Sequence, residues 1–134
     1  MDLVNSMNVS AGGMLAQTTR MKIAAENIAN ADSVQRADGQ GPYRAKQVFF
    51  QTVVDSYGTS RVQAKVAEDS KTPLRAVYNP SSDLADARGF VMMPNVDTTM
   101  ENMNMREAQR SYEANMAAIS TAREMATRTL DLLR

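Results

Sequence analysis

Two stretches, one at each end of the chain, carry apolar and small residues at alternating spacings of three and four. The first runs Val4, Met7, Ala11, Met14, Thr18, Met21, Ala25, Ile28. The second runs Met105, Ala108, Tyr112, Asn115, Ile119, Ala122, Ala126, Thr129, Leu133. This spacing is a heptad a/d seam, which places one stripe along a helix and requires another helix to cover it. The ends contain no proline. Pro42, Pro73, Pro80 and Pro94 all lie between them, together with Gly39, Gly41, Gly58 and Gly89. The chain is therefore predicted as helix, irregular β-rich middle, helix.

Local signals refine the ends. Asn30 stops the first helix, because Asn tolerates the left-handed C′ conformation. Gly12-Gly13 interrupts it at a cost of about 1 kcal/mol per Gly relative to Ala. That pair is read either as a kink or frayed first turns, or as a point where another helix backbone comes close. Thr98 and Glu101 have the spacing of a capping box at the start of the second helix. Glu124 and Arg128 form an i,i+4 pair in the favourable order. In the middle, residues 43–54, 62–66, 74–78 and 89–93 read as short strands, with a turn at Tyr57-Gly58 and polar loops at 32–41 and 79–88.

Length then limits the shape. A compact chain of this size has a radius of gyration of about 14 Å. Helices over 3–30 and 98–133 span about 42 and 54 Å at 1.5 Å per residue. The expected fold is α+β and elongated. The terminal helices pair as an antiparallel coiled coil over 1–31 plus 97–134, and a small β hairpin or meander over 32–96 sits at their far end. With Ala, Thr and Asn in half of its seam, the helix pair is expected to order fully only when neighbouring copies or partners cover its remaining faces.

Composition excludes whole classes of chemistry. The chain has no His and no Cys, so a Ser-His-Asp triad, a Cys nucleophile and a His- or Cys-ligated zinc are impossible. No catalytic, cofactor or metal site is predicted. The eleven Met residues are read as adaptable packing. Fifteen basic and fifteen acidic residues cancel, which gives no electrostatic case for nucleic acid. No apolar run is long enough to cross a bilayer, and the start has no basic n-region followed by an apolar h-region, so no cleaved secretory signal is expected. Charge is concentrated away from the first helix. Residues 1–30 carry two acids and two bases, and residues 31–96 carry seven and eight. The neutral ends suit repeated similar packing, while the charged middle suits recognition of a particular neighbour. Its strands also offer edges to a neighbour's strand.

Four strings carry a resemblance. Ala25-Glu26-Asn27-Ile28-Ala29-Asn30-Ala31-Asp32-Ser33 resembles the N-terminal signature of the rod and hook proteins of the bacterial flagellum. Tyr43-Arg44-Ala45-Lys46 precedes an apolar strand. The third string runs from Val66-Ala67-Glu68-Asp69, through residues 73–80, to Gly89–Asp97, including Pro94-Asn95-Val96. The fourth is Ala108 to Asn115, with Tyr112 and Glu113. The last two strings, with the short middle, are similar to proximal rod subunits of that axial family. The resemblance implies a structural subunit that self-assembles and co-assembles with other rod proteins, proximal and distal, and meets rod–ring junction proteins. It also implies unfolded export through the flagellar type III apparatus and a place in the periplasm-spanning rod, which links the membrane ring to the hook and transmits torque. No direct membrane insertion is implied.

The residues singled out for assembly are Val4, Met7, Met14, Met21, Ile28, Met105, Tyr112, Ile119, Ala126 and Leu133. Those carrying the family signature are Asn27, Asn30, Pro94, Asn95, Val96, Tyr112, Glu113 and Asn115. Asn27 and Asn30 remain open between interface donors and helix-end caps. Arg106 and Arg110 are read as a solvated face or as a contact for a partner's carboxylate. Acid–base catalysis by Asp83 and Asp86, or by Glu68 and Asp69, is the weak alternative. Two others are a different rod subunit of the same family and an adaptor that captures one partner helix.

Overall fold

The computed structural model describes residues 3–35, 39, 41–54 and 58–132. Helix α1 covers Leu3–Ala29 and α2 covers Thr98–Leu132. Between them lie strands β1 (Lys46–Val54), β2 (Ser60–Glu68), β3 (Arg75–Tyr78) and β4 (Phe90–Met93). The strands form two separate antiparallel hairpins. In β1–β2, Lys46 faces Glu68 and Val54 faces Ser60; in β3–β4, Arg75 faces Met93. The meander alternative is thereby replaced by two pairs. Gly58 lies at φ +77°, as the turn requires; Tyr57 lies outside the described residues.

The helices are antiparallel partners, as the sequence predicts. Gly13 meets Asn115 and Arg20 meets Asn104 and Glu107. Nearer the joined end, Asn27 lies beside Glu101. In this register residue 125 lies beside Leu3, so the last turns of α2 run past it by about 10 Å.

The β1–β2 hairpin is not at the far end of the helix pair. It folds back along α1, where β2 approaches Gly12. A Cβ on Gly12 would lie 3.5 Å from both the Arg61 Cβ and the Val62 carbonyl oxygen. A Cβ on Gly13 would lie 3.0 Å from Asn115 Nδ2. Close approach of another helix accounts for Gly13, whereas Gly12 faces strand β2 at ordinary contact distance; α1 is held between β2 and α2 at this level.

Burial is concentrated where the elements meet. Ala31, Tyr43, Ala45 and Val96 form the core cluster. Val91, Pro94, Ile23 and Ala24 are buried nearby. Toward the open end of the helix pair, Ala16 and Ala122 are the buried positions among the described residues.

The caps differ from their sequence reading. Asp97, not Thr98, caps α2: its Oδ1 accepts the Thr99 and Met100 amides at 2.9 and 3.2 Å. A carboxylate one residue earlier outcompetes the Thr hydroxyl and also favours the positive end of the helix dipole. Glu101 is thereby released from a capping box. At the end of α1, no described non-glycine residue has positive φ. Asn30 ends the helix differently, with Nδ2 donating to the Glu26 carbonyl at 2.9 Å and Oδ1 accepting from the Ser33 hydroxyl at 3.2 Å.

Candidate assembly surface

The junction that positions the surface is closed by amide side chains. Asn27 is fully buried. Its Nδ2 donates to the Lys46 carbonyl at 2.8 Å. Its Oδ1 accepts both the Lys46 amide and the Tyr43 hydroxyl at 2.9 Å. Glu101 in the first turn of α2 lies beside it, so the side chain ties α1 to the start of β1 at the foot of α2. A buried amide is tolerated only when its donors and acceptors are filled. Asn95 makes a second tie. Its Oδ1 accepts the Ala45 amide at 2.8 Å, and its Nδ2 donates to the carbonyls of Asp69 and Thr72 at 3.3 and 3.2 Å. Pro94 is fully buried beside it. Arg44 Nη1 also reaches the Asp69 carbonyl, at 3.2 Å.

Two carboxyls in this region are shifted. The Thr72 hydroxyl, followed by the Thr72 backbone, holds Asp69 below the ordinary carboxylate range. Burial pushes Glu101 up, against the opposing effect of hydrogen bonds to Asn27 and Asn104 and of the Arg20 charge. The Lys46 ammonium pairs with Glu26, and Arg20 pairs with Glu107 at 3.1 Å.

The seam of α2 coincides with its covered face. Ala108 and Ala122 are buried, and Met105, Tyr112, Asn115, Ile119 and Ala126 are half-buried. Leu133 lies outside the described residues, and Thr129 is exposed. In α1 the stripe facing α2 is a different one. Ser10, Gly13, Gln17, Arg20, Ala24 and Asn27 are all buried or half-buried at three-four spacing. Met14, Met21 and Ile28 stand one position further along, at the margin of this interface, and with Met7 are half-buried. Val4, Ala11, Thr18 and Ala25 are exposed. The apolar ridge read from the sequence therefore runs along the edge and outer side of α1. The helix pair itself closes on small and polar residues, which permit close approach and specific bonds.

Among the signature residues, Asn27, Pro94, Asn95 and Val96 come together in the junction. Asn30 caps α1. Asn115 lies against Gly13 with its Nδ2 on the Ser111 carbonyl at 3.0 Å, and Glu113 is exposed, accepting from Gln109. Sequence reasoning missed Arg20, the Tyr43 hydroxyl, Asp69 and the inward use of Glu101. Arg20 and Asn27 share the three-four spacing of Gly13 and Ala24, which is the signal that marks them. Arg106 and Arg110 are exposed, and Arg128 pairs with Glu124. Asp86 accepts the Arg88 and Phe90 amides, so it shapes the turn between β3 and β4.

Two long paired helices that expose large apolar side chains such as Leu15, Met103 and Leu130, tied together through hydrogen-bonded strands, suit a structural assembly protein. Family models match at both ends of the chain. Residues 7–37 match the flagella basal body rod protein model, and residues 87–132 match the C-terminal model of the flagellar basal body rod FlgEFG proteins. The chain is 46% identical over 134 residues to the flagellar basal-body rod protein FlgC of Escherichia coli O6:H1, covering 98% of each chain. It is 44% identical over 133 residues to FlgC of Salmonella typhimurium, again covering 98% of each. It is 37% identical over 132 residues to FlgC of Aquifex aeolicus, covering 98% of this chain and 97% of that one. The class is that of flagellar basal-body rod proteins. Within it, the chain belongs to the FlgC family.

Proposed function

We propose that this chain is a structural subunit of the proximal flagellar rod, which self-assembles and co-assembles with proximal and distal rod proteins. The observation that carries this reading is the relation to rod proteins along nearly the whole chain. The exposed Val4, Val9 and Leu15 on α1 support it, because large apolar side chains left in water call for a neighbour. The helices form the generic tube by heterologous contacts, which propagate instead of closing. The charged middle, residues 32–96, selects the neighbours and so sets this subunit's position.

In this role the protein does mechanical work and no catalysis. It reaches the rod through the flagellar type III export apparatus without a cleaved signal, meets the rod–ring junction proteins, and passes motor torque from the membrane ring toward the distal rod and hook. The test is a deletion strain complemented with the gene. Basal bodies without the protein should lack rods beyond the ring, and imaging of complemented basal bodies should place the chain in the proximal rod. Complete rods in the deletion strain would overturn the proposal.

A further inference from the structure

The backbone hydrogen bonds of the β1–β2 hairpin leave one of its edges open. Asp69 donates its amide to the Ala45 carbonyl at 2.8 Å. By the alternation of an antiparallel ladder, residues 47, 49, 51 and 53 then also turn their backbone groups toward β2. Residues 46, 48, 50, 52 and 54 turn theirs outward. At Lys46 the Asn27 side chain takes both the outward amide and the outward carbonyl, at 2.9 and 2.8 Å. A side-chain amide placed there imitates the first rung of an added strand. Beyond it, the outward groups of Val48, Phe50, Thr52 and Val54 bond to no described residue. Phe50, Thr52 and Val54 are exposed.

The other edge of the hairpin lies against α1. By the same alternation Val62 turns its groups outward from β2. A Cβ on Gly12 would lie 3.5 Å from the Val62 carbonyl oxygen and 3.8 Å from its nitrogen. A strand cannot enter between them.

Folded proteins protect edge strands with charge, proline or a bulge. Residues 47–54 contain no Asp, Glu, Lys, Arg or Pro, and β1 pairs with β2 without a bulge from Lys46 to Val54. Such an edge takes an extended, uncharged strand of similar length. Within this chain β1 is its own match. Strand β2 carries Arg61, Lys65 and Glu68, and β3 and β4 have four residues each.

We infer that β1 pairs edge to edge with β1 of a second copy of this chain, antiparallel, so that two hairpins form one four-stranded sheet. Lys46 is already occupied, and the register that uses every free rung sets Val48 opposite Val54 and Phe50 opposite Thr52 of the second copy. Gln51 then faces its own equivalent on the two-fold axis. With one open edge per hairpin, the contact is isologous and stops at two copies. The pair is therefore a state of the free chain, distinct from the repeating contacts of a rod. It covers a neutral, β-prone segment that would otherwise template aggregation. The inference stands independently of the rod-subunit reading.

The chain has no Cys, so one introduced thiol reports the register. Gln51→Cys sets two thiols across a non-hydrogen-bonded pair, where Cα atoms stand about 4.5 Å apart, within the span of a disulfide. Mild oxidation of the full chain should link Gln51→Cys into covalent dimers. Gln47→Cys and Gln63→Cys, also exposed on this hairpin, should stay monomeric, because each stands far from its equivalent. Any other pattern would overturn the pairing. Sedimentation of the native chain should show a concentration-dependent dimer; a strict monomer, or growth past the dimer, would overturn it as well. Thr52→Pro removes an outward amide and leaves the bonds between β1 and β2 intact, so the dimer should be lost with the circular dichroism unchanged. If that variant loses its fold, Thr52→Lys gives the same readout by setting a charge on the edge. A dimer that persists in the folded variant would refute the assignment of this edge.

Discussion

Replacing Asn27 by Ala should be among the most damaging single changes in the chain. The side chain is fully buried and fills the Lys46 amide and carbonyl and the Tyr43 hydroxyl, all within 2.9 Å. Each such bond contributes about 1 kcal/mol net, and orphaning buried partners raises the cost further, so a loss of about 3–5 kcal/mol follows. Typical domains are stable by only about 5–15 kcal/mol. For a chain of this size the melting temperature should fall by about 10 °C or more. Tyr43→Phe keeps the ring and removes one bond, so it should cost about 1 kcal/mol. Because the two residues share that bond, the double variant should be less destabilised than the sum of the singles. Thermal and urea unfolding followed by circular dichroism measure all three. A shift below about 2 °C for Asn27→Ala, or full additivity in the cycle, would refute the assignment of Asn27 as the tie between α1, β1 and α2.

Hydrogen exchange on the monomer should show a gradient, with protection rising from Leu3 toward Asn27 and falling from Ala108 toward Leu132, because buried residues cluster at the joined end; uniform protection along both helices would contradict this. Met21→Asp and Ile119→Asp should each abolish rod assembly while the protein stays soluble, since a charge forced into a dry contact costs several kcal/mol; normal swimming by either variant would refute the seam. Gly12→Ala should be tolerated or stabilise by up to about 1 kcal/mol, because the new methyl meets ordinary contacts at 3.5 Å. Gly13→Ala should do worse in the same unfolding assay, since Asn115 must give way; equal effects would be inconsistent with the two approaches described. Burial raises the Glu101 carboxyl above 4.5, so the folded chain holds this proton more tightly than the unfolded one. The penalty is absent below the unfolded value and grows as pH rises through the folded one. Glu101→Gln should remove that decline, and parallel pH profiles of the urea midpoint in the two proteins would exclude it.

The α2 seam was legible in the sequence because the residues that are apolar there, from Met105 to Ala126, are also those that face α1. The α1 seam was harder. Its apolar period marks the face left over for neighbours, whereas the face paired within the chain runs through Gly13, Gln17, Arg20 and Asn27. Hydrophobic periodicity cannot find an interface closed by a glycine and side-chain amides. Strand existence was also legible, from alternation in β2 and aromatic and β-branched residues in β1. Division into two hairpins was not, because nothing local in residues 60–78 says that β2 stops pairing before β3. The position of β1–β2 along α1 was not legible either, because Gly12, which β2 approaches, allowed a kink equally well.

The two ends of the helix pair are not flush. Residues 126–132 of α2 project beyond Leu3, and Leu130 and Leu132 on that projection are exposed. In the proposed rod, units with such a step would meet as a lap joint instead of butting end to end. In a lap joint, twist is resisted by shear across the overlapping flanks, where side-chain ridges interlock. A butt joint would have to carry it across a small end face. A column assembled from such stepped pieces gains torsional stiffness from overlap, and shortening the projection should soften the column before it prevents the pieces from joining.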